Sequence, residues 1–255
     1  MAIYDTIETK YSKEYLIKLA KELGEGMGVL GGWAVHFLVN ENFRNATGND
    51  YPESRDIDIF IDTGGDVPQK LKLVMENLGF IPSGYPFRYQ LIADRTSGRI
   101  ISENESKKRP LYELVYIFLD VFGGSETKAV RLWAMPLIKE IFESKDSCIL
   151  LNVEGTDILF PPIDILLALK AEGFLGRENE DKKYKDAADI YSLIFYSGKV
   201  EFAKLRHGKS LKEALKIMAE QEPYTKFIAR VLFMDELKFP LVKANLLQVI
   251  ESIET

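Results

Sequence analysis

Hydrophobic positions in the first half of the chain follow two periods, one typical of helices and one typical of strands. Leu16, Leu19 and Leu23 recur at helical spacing and predict an amphipathic helix over residues 12–23. In RDIDIFID, residues 55–62, polar and apolar positions alternate, which is the period of a β-strand. The other elements predicted for this half are helices over 33–39 and 68–78, the second ended by Gly79, a loop over 40–54, and strands at YQLIA, ELVYIFLDVF and CILLNV.

The second half of the chain has a different pattern. From about Pro162 onward helical periods continue to the end, with breaks near Gly198, Gly208, Pro223 and Pro240. A mixed α/β half followed by a helical half predicts an α+β fold, in which a mixed β-sheet with flanking helices precedes a C-terminal helical bundle. We expect two domains, 1–160 and 161–255.

Composition limits the kinds of ligand and partner that we expect for this protein. A net charge of −6 argues against a general nucleic-acid binder, which normally has a basic face. No apolar run reaches the roughly 18 residues that cross a bilayer, and the start of the chain lacks the apolar core of a secretory signal, so we expect a cytoplasmic protein with no membrane partner. Cys148 is the only cysteine and there are two histidines, so a metal would bind carboxylates, which suits Mg²⁺ or Mn²⁺.

Three aspartates are candidates for such a metal site. The period of two places Asp56 and Asp58 on the same face of a strand, where their like charges repel unless a cation lies between them. Asp120 is a single charge within the apolar strand VYIFLDVFGG, where an unpaired carboxylate would be costly. Three carboxylates on adjacent strands are able to hold two metal ions, which activate an attacking hydroxyl and neutralise a leaving pyrophosphate. The alternative is that Asp56, Asp58 and Asp62 form an exposed sheet face and that Asp120 ends a strand.

Two glycines suggest an anion site. In VLGGWAVHFL, Gly31 and Gly32 stand where a hydrophobic strand ends and a helix begins. Backbone amides at a helix N-terminus bind phosphate oxygens, and a missing Cβ lets those oxygens approach. A pair of glycines is also common in plain turns, so this signal depends on the carboxylates that follow it.

The helical half contains a second group of charges. Lys170 lies within an apolar helical stripe, so its ammonium group must reach water or meet an anion. Arg177 is two helical turns further on and shares that face if the helix continues past Gly173 and Gly176. Asp186 and Asp189 share a face of the next helix. The alternative is a structural salt bridge between Lys170 and Asp186.

The segments GGWAVHFL, SRDIDIF and LDVF resemble the signature of the nucleotidyltransferase superfamily, which shares the fold of DNA polymerase beta. The long interval from Gly32 to Asp56 and the order K…R…D-x-x-D in the helical half resemble the AbiEii-like toxin nucleotidyltransferases. Trp33 departs from that branch, many of whose members have a small hydroxyl residue at this position.

The resemblance implies a metal-dependent enzyme that transfers a nucleoside monophosphate from a nucleoside triphosphate to an acceptor hydroxyl. The catalytic residues would be Asp56, Asp58, Asp120 and Lys170, with the three aspartates as metal ligands. The nucleotide-binding residues would be Gly31, Gly32, Ser54, Lys170, Arg177, Asp186 and Asp189, so that the helical domain completes the nucleotide site. For an AbiEii-like toxin the acceptor would be tRNA or protein, and an antitoxin partner is expected.

Two alternatives to this function stay open. GGWAVHFL followed by RDIDI also resembles the aminoglycoside and lincosamide adenylyltransferases, whose acceptors are small hydroxylated molecules. A nucleotide-binding regulator without turnover is the hypothesis from another class. Among the remaining residues, His36 is interpreted as packed rather than catalytic. Arg88 is able to meet an acceptor or phosphates, although loop charges usually face water.

Overall fold

The computed structural model describes residues 4–143, 147–198, 200–202 and 205–253. They form two compact units. The sheet unit consists of the described residues of Ala2–Ala34 and Pro52–Pro161, and the helical unit of Val35–Tyr51 and the described residues of Pro162–Thr255. These units differ from the predicted domains because residues 35–51 group with the C-terminal helices.

The sheet unit contains a mixed β-sheet. Its strands, within the described residues, are β1 (Met27–Val29), β2 (Ile57–Ile61), β3 (Ile81–Pro82), β4 (Arg88–Asp94), β5 (Leu114–Gly123), β6 (Trp133–Ala134), β7 (Ile149–Val153) and β8 (Thr156–Phe160). The strand order is β3-β4-β5-β2-β1-β8-β7, and β6 pairs with β5. The β2/β5, β1/β8 and β5/β6 pairs are parallel. The other pairs are antiparallel.

Helices complete both units. In chain order they are α1 (Thr6–Leu23), α2 (Gly31–Thr47), α3 (Val67–Leu78), α4 (Glu103–Ser106), α5 (Pro136–Glu143), α6 (Ile163–Gly176), α7 (Glu180–Tyr196), α8 (Gly208–Glu220), α9 (Glu222–Phe233) and α10 (Phe239–Ser252). Helix α2 begins in the sheet unit and continues into the helical unit. Within the described ranges, no helix is both long enough and apolar enough to cross a membrane.

The predicted strand around RDIDIFID is confirmed as β2. Its three isoleucines, Ile57, Ile59 and Ile61, are fully buried on one face, as the period of two predicts. The end of α3 is also confirmed, because Gly79 caps it in the left-handed conformation with φ 86°.

The loop predicted over 40–54 was wrong in its first half, since α2 continues to Thr47. Phe43 lies one turn beyond Val39 on the same face and is buried, and its ring makes edge-to-face contacts with Tyr51 and Tyr196. These contacts explain why the polar residues between Val39 and Phe43 stay helical. Strand β8 was not predicted; it pairs with β7 through a turn at Glu154 and Gly155, both with positive φ.

Candidate active site

The three predicted carboxylates lie together in the sheet unit. In the parallel pair of β2 and β5, Asp58 stands directly opposite Asp120. In the antiparallel pair of β4 and β5, Arg88 stands opposite the same Asp120. Because opposed residues share a face of the sheet, Asp58, Asp120 and Arg88 form one row across three strands. Asp56 lies two residues before Asp58, immediately ahead of β2.

Arg88 is the residue of this row whose partner the sequence did not predict. It is the first residue of β4 rather than a loop charge facing water, and its Nε and Nη2 donate to the two carboxylate oxygens of Asp120 at 2.6 Å each. The hydrogen bond to Asp120 raises the pKa of Arg88, and the charges of Asp120, Asp56 and Asp58 raise it further. The three aspartates therefore favour a positive charge at the position of the Arg88 guanidinium.

Asp56 has a carboxylate oxygen that is suited to a further ligand. Its Oδ1 is buried without a hydrogen-bond partner, and the Nε of Arg55 is 3.6 Å away, beyond hydrogen-bond length. The backbone of Asp56 is held by Ser54, whose buried hydroxyl donates to the Asp56 carbonyl oxygen at 3.1 Å. Ser54 thus fixes the approach to β2.

Gly31 is required by a close approach within the protein. It has φ 62°, and a Cβ built on it would lie 1.8 Å from Oδ2 of Asp58. The Leu30 amide also donates to the Asp58 carbonyl oxygen at 2.8 Å. Asp58 therefore packs against the start of α2, where the helix dipole favours a negative charge. Gly32 is buried in the first turn of the same helix.

Replacing Gly31 by alanine is expected to destabilise the protein through this contact. A left-handed φ costs alanine about 1–2 kcal/mol, and the overlap with Asp58 adds about 1–3 kcal/mol. Gly65 is a matched control, because its φ is 61° and nothing lies within 4 Å of its Cβ position. In urea unfolding, Gly31→Ala should lose more stability than Gly65→Ala; equal losses would show that Asp58 moves aside freely.

The donor set of the carboxylate row fits a hard divalent cation. The unpartnered Oδ1 of Asp56 and the neighbouring Asp58 supply carboxylate oxygens, which magnesium and manganese prefer. Both carboxylate oxygens of Asp120 bind Arg88, so this ion pair would have to open before Asp120 could be a ligand. Among the residues that the structure describes, no three acidic, histidine or cysteine side chains are arranged to hold a metal.

Lys170, Asp186 and Asp189 form an ion cluster in the helical unit. The Nζ of Lys170 on α6 lies 2.6 Å from Oδ2 of Asp189 and 3.4 Å from Oδ1 of Asp186, both on α7. The side chains are 11% exposed for Lys170, 4% for Asp186 and 1% for Asp189. The structural salt bridge that was one of the alternatives for Lys170 is thus present, and it includes both aspartates.

Arg177 also belongs to this cluster, but not through the helical face that the sequence predicted. Helix α6 ends at Gly176, and Arg177 is its extended C-cap residue, so the helix does not continue as the shared face required. The Nε of Arg177 nevertheless lies 2.7 Å from Oδ2 of Asp186, and the arginine side chain is 40% exposed.

Tyr51 is a second residue of the helical unit that sequence reasoning missed. Its hydroxyl donates to Oδ1 of Asp189 at 2.7 Å. Complete burial is the main reason why the pKa of Tyr51 is raised well above its usual value, and the charge of the nearby Asp189 carboxylate raises it further. The phenol therefore keeps its proton. His36, buried as expected, has its Nδ1 2.9 Å from the Tyr51 carbonyl oxygen. A tyrosine in a polar loop gives no local signal of such a contact.

A cavity of about 510 Å³ lies elsewhere in the sheet unit. It is lined in part by residues of α3 and by residues 126–132. Tyr89, which also lines it, follows Arg88 in β4 and therefore faces the opposite side of the sheet. The cavity is thus separate from the carboxylate row.

The mixed sheet with flanking helices, followed by a helical C-terminal region, defines a nucleotidyltransferase-like fold, as the sequence predicted. Among solved structures, the chain is similar to an antigenic nucleotidyltransferase-like protein from Paracoccidioides brasiliensis, with a TM-score of 0.50 and 16% sequence identity over 92% of this chain and 99% of that one. At this identity the likeness shows the fold alone. No protein-family model and no curated protein sequence matches the chain.

Proposed function

We propose that the protein is a metal-dependent nucleotidyltransferase, which transfers a nucleoside monophosphate from a nucleoside triphosphate to the hydroxyl group of an acceptor. The observation that carries this proposal is the register of β2 and β5, which sets Asp58 beside Asp120 next to the glycine turn that opens α2. Asp56, whose buried Oδ1 accepts no hydrogen bond, adds a third carboxylate to the same face. The fold is compatible with this activity.

In the proposed reaction the acceptor oxygen forms a bond to the α-phosphorus. The bond from that phosphorus to the oxygen bridging the β-phosphate breaks, and pyrophosphate leaves with the electron pair. Asp120 accepts the proton of the acceptor hydroxyl after releasing Arg88. Asp56, Asp58 and Asp120 would hold Mg²⁺ or Mn²⁺, which would supply charge neutralisation and activation of the hydroxyl.

The remaining residues of the sheet unit would bind or support the triphosphate. The amides at Gly31 and Gly32 begin α2, and a helix N-terminus favours phosphate oxygens. Ser54 supports the nucleotide site indirectly, because its hydroxyl holds the backbone of Asp56.

In this proposal the charged residues of the helical unit differ in their part in nucleotide binding. Lys170, Asp186 and Asp189 are buried in mutual ion pairs and act as positioning residues. Arg177 is the member whose side chain has open access to an anion.

The class of acceptor is also a proposal. The order of Lys170, Arg177 and the D-x-x-D segment supports the AbiEii-like branch, for which tRNA or protein is the acceptor, the setting is cytoplasmic, and an antitoxin restrains the enzyme. An aminoglycoside or lincosamide acceptor is the competing outcome, and transfer of label to separate acceptor pools distinguishes these classes.

The test is transfer of label from each α-labelled nucleoside triphosphate, with magnesium, to separate pools of tRNA, protein extract and aminoglycosides. Asp58→Asn serves as the blank, because it removes one predicted metal ligand while keeping the side-chain shape. We expect label in one pool, none with the blank and none after chelation of the metal. Equal labelling by the parent protein and the blank would contradict the proposal.

A nucleotide-binding regulator without turnover is the second candidate, and one observation favours it. Both oxygens of Asp120, the proposed base, are bound by Arg88. For such a regulator, triphosphate with magnesium would raise the melting temperature of the protein, yet label would appear in none of the pools.

A further inference from the structure

Four aromatic rings lie together on the sheet unit beside the carboxylate row. Ring centroids are 6.0 Å apart for Tyr85 and Phe87, 5.1 Å for Phe87 and Trp133, and 6.1 Å for Phe87 and Phe122. We call Tyr85, Phe87, Phe122 and Trp133 the aromatic shelf. Tyr85 is 60% exposed and Trp133 is 51% exposed, although rings of this size are usually buried. Clustered exposed rings often mark a binding surface.

The aromatic shelf is continuous with the proposed catalytic base. Phe122 lies two residues after Asp120 on β5, so the two side chains share a face about 7 Å apart along the strand. Arg88, which binds Asp120, has its guanidinium carbon 5.4 Å from the Tyr85 ring centroid and 5.1 Å from that of Phe118. A ligand group on the shelf would therefore lie within reach of the hydroxyl that Asp120 deprotonates.

The position of the aromatic shelf in the sheet indicates whether it lies near the acceptor or near the leaving pyrophosphate. Along the strand order β4-β5-β2-β1, Arg88 and the shelf lie at the β4 and β5 side, while the glycine turn follows β1. If the triphosphate binds at the start of α2, the leaving pyrophosphate lies toward β1 and the acceptor toward β5 and β4. The shelf is thus on the acceptor side of Asp120.

We propose that the aromatic shelf is a base-stacking subsite for the acceptor, which holds the nucleobase next to the reacting hydroxyl at a single-stranded nucleic-acid end. This inference rests on the proposed function. Nucleobases are planar and stack on aromatic rings with little dependence on sequence, and the Arg88 guanidinium beside Tyr85 adds a planar cation. A serine side chain has no flat face for these rings, and a cationic sugar would bind them through its charge rather than by stacking of planar groups.

The two tryptophans of the chain allow a direct test. Trp33 is fully buried and its Nε1 donates to Ser12 at 2.8 Å, so its fluorescence serves as an internal reference, whereas Trp133 belongs to the aromatic shelf. A short single-stranded oligoriboadenylate should quench the emission of Trp133. An abasic oligomer of equal length, which has the phosphates without the bases, should not. Trp133→Phe should abolish the fluorescence response while the oligoriboadenylate still binds.

The affinity of the shelf is tested with substitutions. Tyr85→Ala should weaken binding of the oligoriboadenylate about tenfold, because one stacking surface is lost. Tyr112→Ala is the matched control. Tyr112 is 75% exposed, but it precedes the first residue of β5, whereas Phe122 of the shelf lies near the last. It should bind the oligomer like the parent protein.

The proposal is overturned if the abasic oligomer quenches Trp133 as well as the oligoriboadenylate does, if neither quenches it, or if triphosphate with magnesium alone gives the same quenching. The last result would place the donor base on the shelf. Failure of the proposed function is distinguishable, because triphosphate with magnesium would then give neither thermal stabilisation nor label transfer. Failure of the shelf alone leaves both of those results intact.

Discussion

Replacement of Asp120 by asparagine is expected to slow nucleotide transfer by about 10²–10⁴-fold, the usual contribution of a general base. The amide keeps the shape of the side chain opposite Asp58 in the sheet, but it cannot accept the proton of the acceptor hydroxyl. Binding of triphosphate with magnesium should persist, because Asp56 and Asp58 still supply carboxylates. Steady-state kinetics and thermal-shift titration measure the two effects separately.

Two further variants make this result specific. Asp58→Asn should lose both triphosphate binding and transfer, since Asp58 belongs to the carboxylate row and its side chain packs against the start of α2. Asp94→Asn is the control, because it changes an aspartate at the other end of β4 that binds Arg109 and should leave transfer unchanged. Parental activity in Asp120→Asn would exclude Asp120 as the base.

Replacement of Lys170 by methionine is expected to lower the free energy of unfolding by about 3–5 kcal/mol, because it removes the ammonium that neutralises the buried carboxylate of Asp189 and contributes to the neutralisation of Asp186. At about 2–4 °C per kcal/mol for a chain of this size, the melting temperature should fall by about 10 °C. Calorimetry or circular dichroism measures the shift.

The matched control for Lys170 is an ion pair with more exposure to water. Arg206→Met breaks the pair of Arg206 with Asp164, whose shortest distance is 2.7 Å, and should cost no more than about 1 kcal/mol. The double variant Lys170→Met with Asp189→Asn should be less destabilised than the sum of its single changes, since the two groups act together. A loss below about 1 kcal/mol in Lys170→Met would show that the carboxylates find other compensation.

The sequence by itself determined which residues share a face of an element. The period of two in RDIDIFID places Asp56 and Asp58 opposite the buried isoleucines, and that period is a property of the extended backbone. It also predicted α3 with its cap at Gly79, and the change to helices after Pro162. These features are local, because they depend on residues a few positions apart.

The tertiary structure decided which faces meet. The register that sets Asp58 beside Asp120, and Arg88 on the other side of Asp120, comes from pairing strands that are far apart in sequence. The period of YQLIA predicted a strand there but did not show that Arg88 would face a carboxylate. Strand pairing is fixed by the joint burial of apolar faces, which no single segment contains.

Close contacts across the chain were likewise decided by the tertiary structure. The pattern around Gly31 predicted that phosphate oxygens approach its backbone, whereas the fold shows that the carboxylate of Asp58 is the group that lies there. Tyr51 and Asp189 are 138 positions apart, and their hydrogen bond forms because a phenol and a carboxylate buried together must satisfy each other. Local periodicity thus specified the faces, and long-range burial specified the partners of their polar groups.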